Sequence, residues 1–286
     1  MKNFIKIILI TVCFSYLMGE IIVRIFDLNS DHLNIQIKDE DGYVDRLKNF
    51  KGTFRFGKFP SNFSSSIHIN DIGFNSPLNF HELDTNLTNI AIVGDSYVES
   101  YHVDLEDNIA SLLMKKNREL QVFPFGVSGY EFKEMLDIYN DFDLSDFKYV
   151  FFVLSKDDFI LSPSKPKFND QKEALRKIYN KFQFFVYLNS NHRLLLSIKK
   201  LFSGRKVKSQ NVFEYTKIID YLNSKSNVVV IPKFQNQYSF FKNLSINRLL
   251  LVDHIRKPFN YGFDSHWNKN GRINISEDIY KYINNN

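Results

Sequence analysis

Five short apolar runs constrain this chain more than any other feature: Ile90-Ala-Ile-Val93, Gln121-Val-Phe-Pro-Phe125, Tyr149-Val-Phe-Phe-Val-Leu154, Asn227-Val-Val-Val-Ile231 and Leu249-Leu-Leu-Val252. Each is four to six residues long and mostly unalternated. A strand with one wet face alternates polar and apolar residues, whereas a strand covered on both faces reads as a continuous apolar run. Helical patterns fall between the runs, at 105–116, 132–139, 213–222 and 268–283. Strands and helices alternating in this way predict an α/β fold, a flavodoxin-like, doubly wound, five-stranded parallel sheet. Such sheets place active sites outside the carboxyl ends of their strands. The composition agrees with a buried core: 44% of residues are hydrophobic, and 11 Gly and 7 Pro among 286 exclude collagen-like and low-complexity chains. The 29 Phe are read as core filling. A lone Cys excludes a disulfide framework and a thiolate zinc cluster.

The N-terminus sets the compartment. Lys2 and Lys6 precede an apolar run, Ile7 to Met18, that, extended from Phe4 to Val23, is long enough to cross a bilayer and carries Glu20 near its far end. A mid-membrane carboxylate costs about 3 kcal/mol, and about ten Ile, Leu, Val and Phe each return roughly 0.3–0.6 kcal/mol. Insertion stays favourable, and Glu20 can pair with Arg24 one helical turn on. Leu17 and Gly19 make a poor cleavage site. The expectation is a single-pass anchor with its N-terminus in the cytoplasm and the rest of the chain outside; a cleaved signal is the alternative, with the same compartment for the remainder. The chain then divides into an anchor (1–28), a turn-rich wrapping segment (29–88) and the α/β domain (89–286). Within the last lies an insertion at about 156–212 with 13 Lys and Arg against 4 Asp and Glu. Its expected helices, 171–187 and 191–202, form either a solvated lid or a surface for anionic lipid or acidic glycan. Export argues against nucleic acid as the partner of a chain carrying net charge +5.

Two motifs carry chemistry. In Val93-Gly94-Asp95-Ser96-Tyr97 the first core strand meets a helix. Glycine permits a sharp turn, and a serine there faces backbone N–H groups able to stabilise an oxyanion. The triplet alone would serve as a plain N-cap; its position at a strand's carboxyl end gives it a second meaning. A serine nucleophile needs a base, and Asp264-Ser265-His266-Trp267-Asn268 supplies an imidazole with an acid two residues away, while Asn268 can start the last helix. Adjacent Asp253 and His254 point to opposite faces of an extended stretch, and His102 and His192 lack a nearby acid in a turn.

Together these pieces resemble the SGNH, or GDSL-type, hydrolase family. Ile90-Ala-Ile-Val-Gly-Asp-Ser96 is similar to the family's first block, Phe125-Gly126-Val-Ser-Gly-Tyr130 to its second, and Asp264-Ser-His266-Trp-Asn to its last. The stretch Ile67-His-Ile-Asn-Asp-Ile-Gly-Phe74 and the apolar N-terminus resemble membrane-anchored members. The resemblance implies Ser96 as nucleophile, His266 as base, Asp264 as orienting acid, an oxyanion hole from the N–H groups of Ser96 and Gly126, and no metal or organic cofactor. It departs at the third block, Gly-x-Asn-Asp in the family and Ser155-Lys-Asp157-Asp158 here. An ionised Asp157 only accepts hydrogen bonds, where the family's Asn donates to the oxyanion. Protonation of Asp157, donation by Ser155 or a displaced correspondence would each repair the hole. The expected activity is cleavage of an acyl ester, acetyl above all, on a cell-surface polysaccharide. The alternatives are transfer of that acyl group to a glycan, and a glycan-binding or assembly protein that keeps the fold without catalysis.

Overall fold

The computed structural model of the chain describes residues 2–31, 37–38, 44–45, 47–58, 61–159, 174, 178–192, 215–252, 260–261 and 264–286. In chain order the helices are α1 (Lys2–Ile25), α2 (Ser96–Glu99), α3 (Ile109–Lys116), α4 (Phe132–Asp141), α5 (Gln183–His192), α6 (Tyr215–Ser224), α7 (Tyr238–Asn243) and α8 (Lys269–Asn285). The strands are β1 (Ile37–Lys38), β2 (Val44–Asp45), β3 (Phe50–Lys58), β4 (Ser61–Ile69), β5 (Thr88–Gly94), β6 (Leu120–Gly126), β7 (Tyr149–Leu154), β8 (Val228–Pro232), β9 (Asn260–Tyr261) and β10 (Asp264–Trp267). The chain forms two compact units: Met1–Asp45, Thr53–Ser64 and Pro166–Lys208 make one, and Arg46–Gly52, Ser65–Lys165 and Ser209–Asn286 the other.

The larger unit is built on a parallel sheet in the order β6-β5-β7-β8. Successive side chains of these strands go to opposite faces, and both faces are covered. Ala91, Val93, Phe125, Phe152 and Val230 pack with Met135 and Ile138 of α4 and with Ile218 and Leu222 of α6. Ile90, Ile92, Phe151, Val229 and Ile231 pack with Leu113 of α3 and with Ile275 and Ile279 of α8. Double coverage is why the runs do not alternate, and each fully buried Val, Leu, Ile, Phe or Met contributes about 1.5–3 kcal/mol by leaving water.

Two expectations differ from what is observed. Among the described residues the sheet has four ladder strands, and the run at 249–252 contributes one parallel bridge, Leu249 to Val230, held by Val230 N–H to Arg248 O at 3.0 Å and Leu250 N–H to Val230 O at 2.9 Å. The helix expected over 105–116 is broken, because Asn108 takes an extended conformation and its side chain caps Ser111 N at 2.7 Å. Asparagine competes with the helix for its own backbone donors and so starts helices better than it continues them.

The smaller unit pairs α1 with α5. Helix α1 is long and apolar enough to cross a membrane, with Phe4, Ile7, Leu9 and Phe14 exposed. Its 24 residues span about 36 Å at 1.5 Å each, against a hydrocarbon core of about 30 Å. Glu20 is employed rather than merely tolerated. Its carboxylate accepts from Gln183 N–H (3.1 Å) and Phe184 N–H (2.8 Å), two orphan donors of α5, and from Arg24 Nε at 2.8 Å. Of the helix expected over 171–187, residues 171–173 and 175–177 lie outside the described residues; residues 174, 178 and 179 are helical, and α5 continues to His192. The expected helix over 191–202 falls outside the described residues beyond His192.

Candidate active site

The proposed nucleophile sits where β5 turns into α2. Gly94 is required by space: a Cβ there would lie 2.5 Å from Val98 Cγ2. Asp95 caps the short helix, its Oδ1 accepting from Tyr97 N–H at 3.1 Å, and Ser96 is its first residue. Four residues make a helix too short to persist alone, and its neighbours hold it. Ser100 ends it in the left-handed region at φ 65°. Arg272 of α8, fully buried, donates from Nη1 to Tyr97 O at 2.8 Å and to Ser100 Oγ. Burial pushes this guanidinium down to about 10, so it stays charged at neutral pH. Asn75 Nδ2 donates to Glu99 O at 2.8 Å, and Asn70 shapes the turn before it, accepting from Phe74 N–H at 2.9 Å. The stretch 67–75 therefore braces the end of α2.

Gly126 closes the ladder opposite Gly94, and Val127 N–H donates to Gly94 O at 3.1 Å. The loop that follows is tied to α2 through Glu99, whose Oε2 accepts from Ser128 N–H at 3.0 Å and from its hydroxyl. First and second motifs thus meet as backbone against backbone.

Across the rim, β10 presents His266 with Nε2 2.7 Å from Ser96 Oγ. With Nε2 unprotonated the serine hydroxyl donates to it, the arrangement that general-base activation requires. The ring is clamped on both faces. Tyr97 stacks on one at 4.9 Å and 29°, and His102 on the other at 3.9 Å and 16°. Tyr97 also donates its hydroxyl to Ser265 O at 2.9 Å, so the residue after the serine locates the strand that carries the imidazole. Trp267 is buried in the core, and Asn268 caps α8, accepting from Gly271 N–H at 3.0 Å.

The remaining sequence candidates stand as follows. Asp264 lies on β10 two residues before His266, and its side chain lies outside what the structure describes. Asp157 occupies the one-turn helix Lys156–Asp158 beyond β7 and is exposed. Asp253 and His254 fall outside the described residues, as does the side chain of His192. Set aside for want of an acid, His102 in fact lies face to face with His266. Sequence reasoning also missed Lys233, buried at 2% exposure just past β8, whose ammonium sits 2.8 Å from Asp95 Oδ2 and 2.7 Å from Asp158 Oδ2. Burial raises the Asp158 carboxyl above the ordinary carboxylate range, the Lys233 charge opposing it and the Asp95 charge adding to it.

No family model and no curated protein matches the sequence. Among solved structures the chain is similar to a G-D-S-L family protein from Desulfitobacterium hafniense DCB-2, with 11% identity and a TM-score of 0.36, over 68% of this chain and 98% of the other.

Proposed function

We propose that the chain is a serine esterase that removes acyl groups, acetyl above all, from a cell-surface polysaccharide. The carrying observation is the 2.7 Å contact between His266 Nε2 and Ser96 Oγ at the carboxyl ends of a parallel sheet. His266, oriented by Asp264, takes the proton as Ser96 Oγ attacks the ester carbonyl. The backbone N–H groups of Ser96 and Gly126 receive the oxyanion. His266 returns the proton to the leaving alkoxide, and water, activated by the same imidazole, releases the acyl group and restores Ser96. The apolar α1 supports a single-pass anchor, N-terminus in the cytoplasm, with the esterase domain outside and facing surface glycans. A sugar hydroxyl in place of water would make the same residues an O-acyltransferase.

The test is covalent labelling by a fluorophosphonate probe between pH 7 and 9. Stoichiometric labelling that vanishes in Ser96→Ala and falls about 10³-fold or more in His266→Gln is expected. Absence of Ser96-dependent labelling overturns the esterase and favours a binding role, the reading that an exposed Asp157 in place of the donor Asn supports. An acetyl donor supplied with and without an oligosaccharide acceptor separates the two reactions. Product on the acceptor with little free acetate overturns hydrolysis in favour of transfer.

A further inference from the structure

Lysine is rarely buried, and a desolvated ammonium is costly unless paired and hydrogen-bonded. Lys233 is 2% exposed, and its two partners do separate jobs. Asp95 gives Oδ1 to Tyr97 N–H, setting the turn that carries Ser96, and Oδ2 to Lys233. Asp158 gives Oδ2 both to Ser155 N–H, at 2.7 Å, and to Lys233. The lysine's own N–H donates to Leu154 O at 2.8 Å, and its ammonium lies 5.5 Å from the centre of the Tyr97 ring. In the sheet β7 lies between β5 and β8. From the end of β8 the side chain therefore reaches past the end of β7 to that of β5, two strand spacings or roughly 9.5 Å.

On the esterase reading above, we propose that Lys233 is a positioning residue for the nucleophile. Its ammonium fastens the Asp95-Ser96 turn to the Ser155–Asp158 turn, so that three adjacent strand ends form one stiff rim under Ser96. Two carboxylates brought this close would repel without the cation, and each would then loosen the turn whose backbone it holds. The ammonium joins two turns: one carries Ser96, the attacking oxygen on that reading, and the other is the Lys156–Asp158 segment.

The experiment uses the full chain in detergent, measuring fluorophosphonate labelling rate, kcat and KM on 4-nitrophenyl acetate, and thermal unfolding, in four forms. In Lys233→Met the labelling rate and kcat are expected to fall by about 10²-fold, the usual effect of misplacing a reacting group by about 1 Å, with KM changed by less than about threefold. Lys233→Arg, which keeps the charge, should recover part of the rate. The double variant Lys233→Met/Asp158→Asn removes the cation together with one carboxylate, so its unfolding temperature should return toward that of the unsubstituted protein while its rate stays low. It also keeps the test decisive if Lys233→Met alone unfolds. Unchanged rates in Lys233→Met, or rates in the double variant that recover along with stability, overturn the positioning role and leave the esterase standing. No Ser96-dependent labelling of the unsubstituted protein overturns both.

Discussion

Gly126→Ala tests whether backbone contact between the two loops sets the position of Ser96. A Cβ at Gly126 would stand 2.0 Å from Glu99 N, 2.4 Å from Val98 C and 2.5 Å from Glu99 Cα. All three atoms are backbone of α2, so no rotamer change relieves them. The first contact is about 1.4 Å short of the 3.4 Å at which ordinary contact begins, so either β6 or α2 must move by about that much. Overpacking costs typically 1–3 kcal/mol and sometimes more, and an overlap this deep belongs at about 3 kcal/mol. At roughly 2–4 °C per kcal/mol for a unit of this size, the unfolding temperature should drop by about 6–12 °C. Displacing Ser96 from His266 by about 1 Å should slow fluorophosphonate labelling about 10²-fold even in the folded protein. Gly129→Ala is the control. Gly129 has φ +80° with nothing within 4 Å of its Cβ position, so alanine there bears only the left-handed penalty of about 1–2 kcal/mol. Its labelling rate should stay within a factor of about three. If Gly126→Ala labels as fast as Gly129→Ala, the contact does not place the nucleophile and the reasoning fails.

Asp157→Asn places an amide donor where the resemblance to the GDSL-type third block implies one. If that side chain faces the oxyanion, kcat should rise by about 10-fold or more, toward the 10²–10³ that one such donor is worth; an unchanged kcat removes Asp157 from the hole. Glu20→Ala deletes the cross-helix cap on Gln183 and Phe184. A lost cap costs about 0.5–2 kcal/mol, so amide exchange at 183–186 should quicken by about 10-fold while the β5–β8 core is unchanged. Equal exchange in both proteins would mean that α5 does not depend on Glu20.

The fold was legible wherever burial wrote itself into composition. Runs such as Tyr149–Leu154 and Val228–Pro232 are apolar at every step because both faces of the sheet are covered, and both proved to be central or neighbouring strands. The run at 249–252 looks the same but forms one bridge among the described residues, and hydrophobicity alone does not tell a single bridge from a ladder. At the site, the serine turn and the histidine were visible because each carries a local pattern. Lys233, Arg272 and His102 were not. Their partners lie 138, 175 and 164 residues away in Asp95, Tyr97 and His266, and a lysine after a strand or an arginine in a helix reads as ordinary solvated charge. Glu20 was visible as a charge at an awkward depth, but its two backbone partners on α5 were not.

The clamp of Arg272 on α2 also bears on the order in which the protein can become reactive. Synthesis delivers the chain from its N-terminus, so β5 and Ser96 emerge while His266 and Arg272, 170 and 176 positions further on, do not yet exist. Contacts of such sequence separation form late, after the loops between them have been closed. Until α8 docks, α2 lacks the Arg272 bonds to Tyr97 O and Ser100 Oγ, and Ser96 lacks His266. On the esterase reading, a nascent or stalled chain therefore carries an inert alcohol, and competence for acyl chemistry would arrive with the completed core.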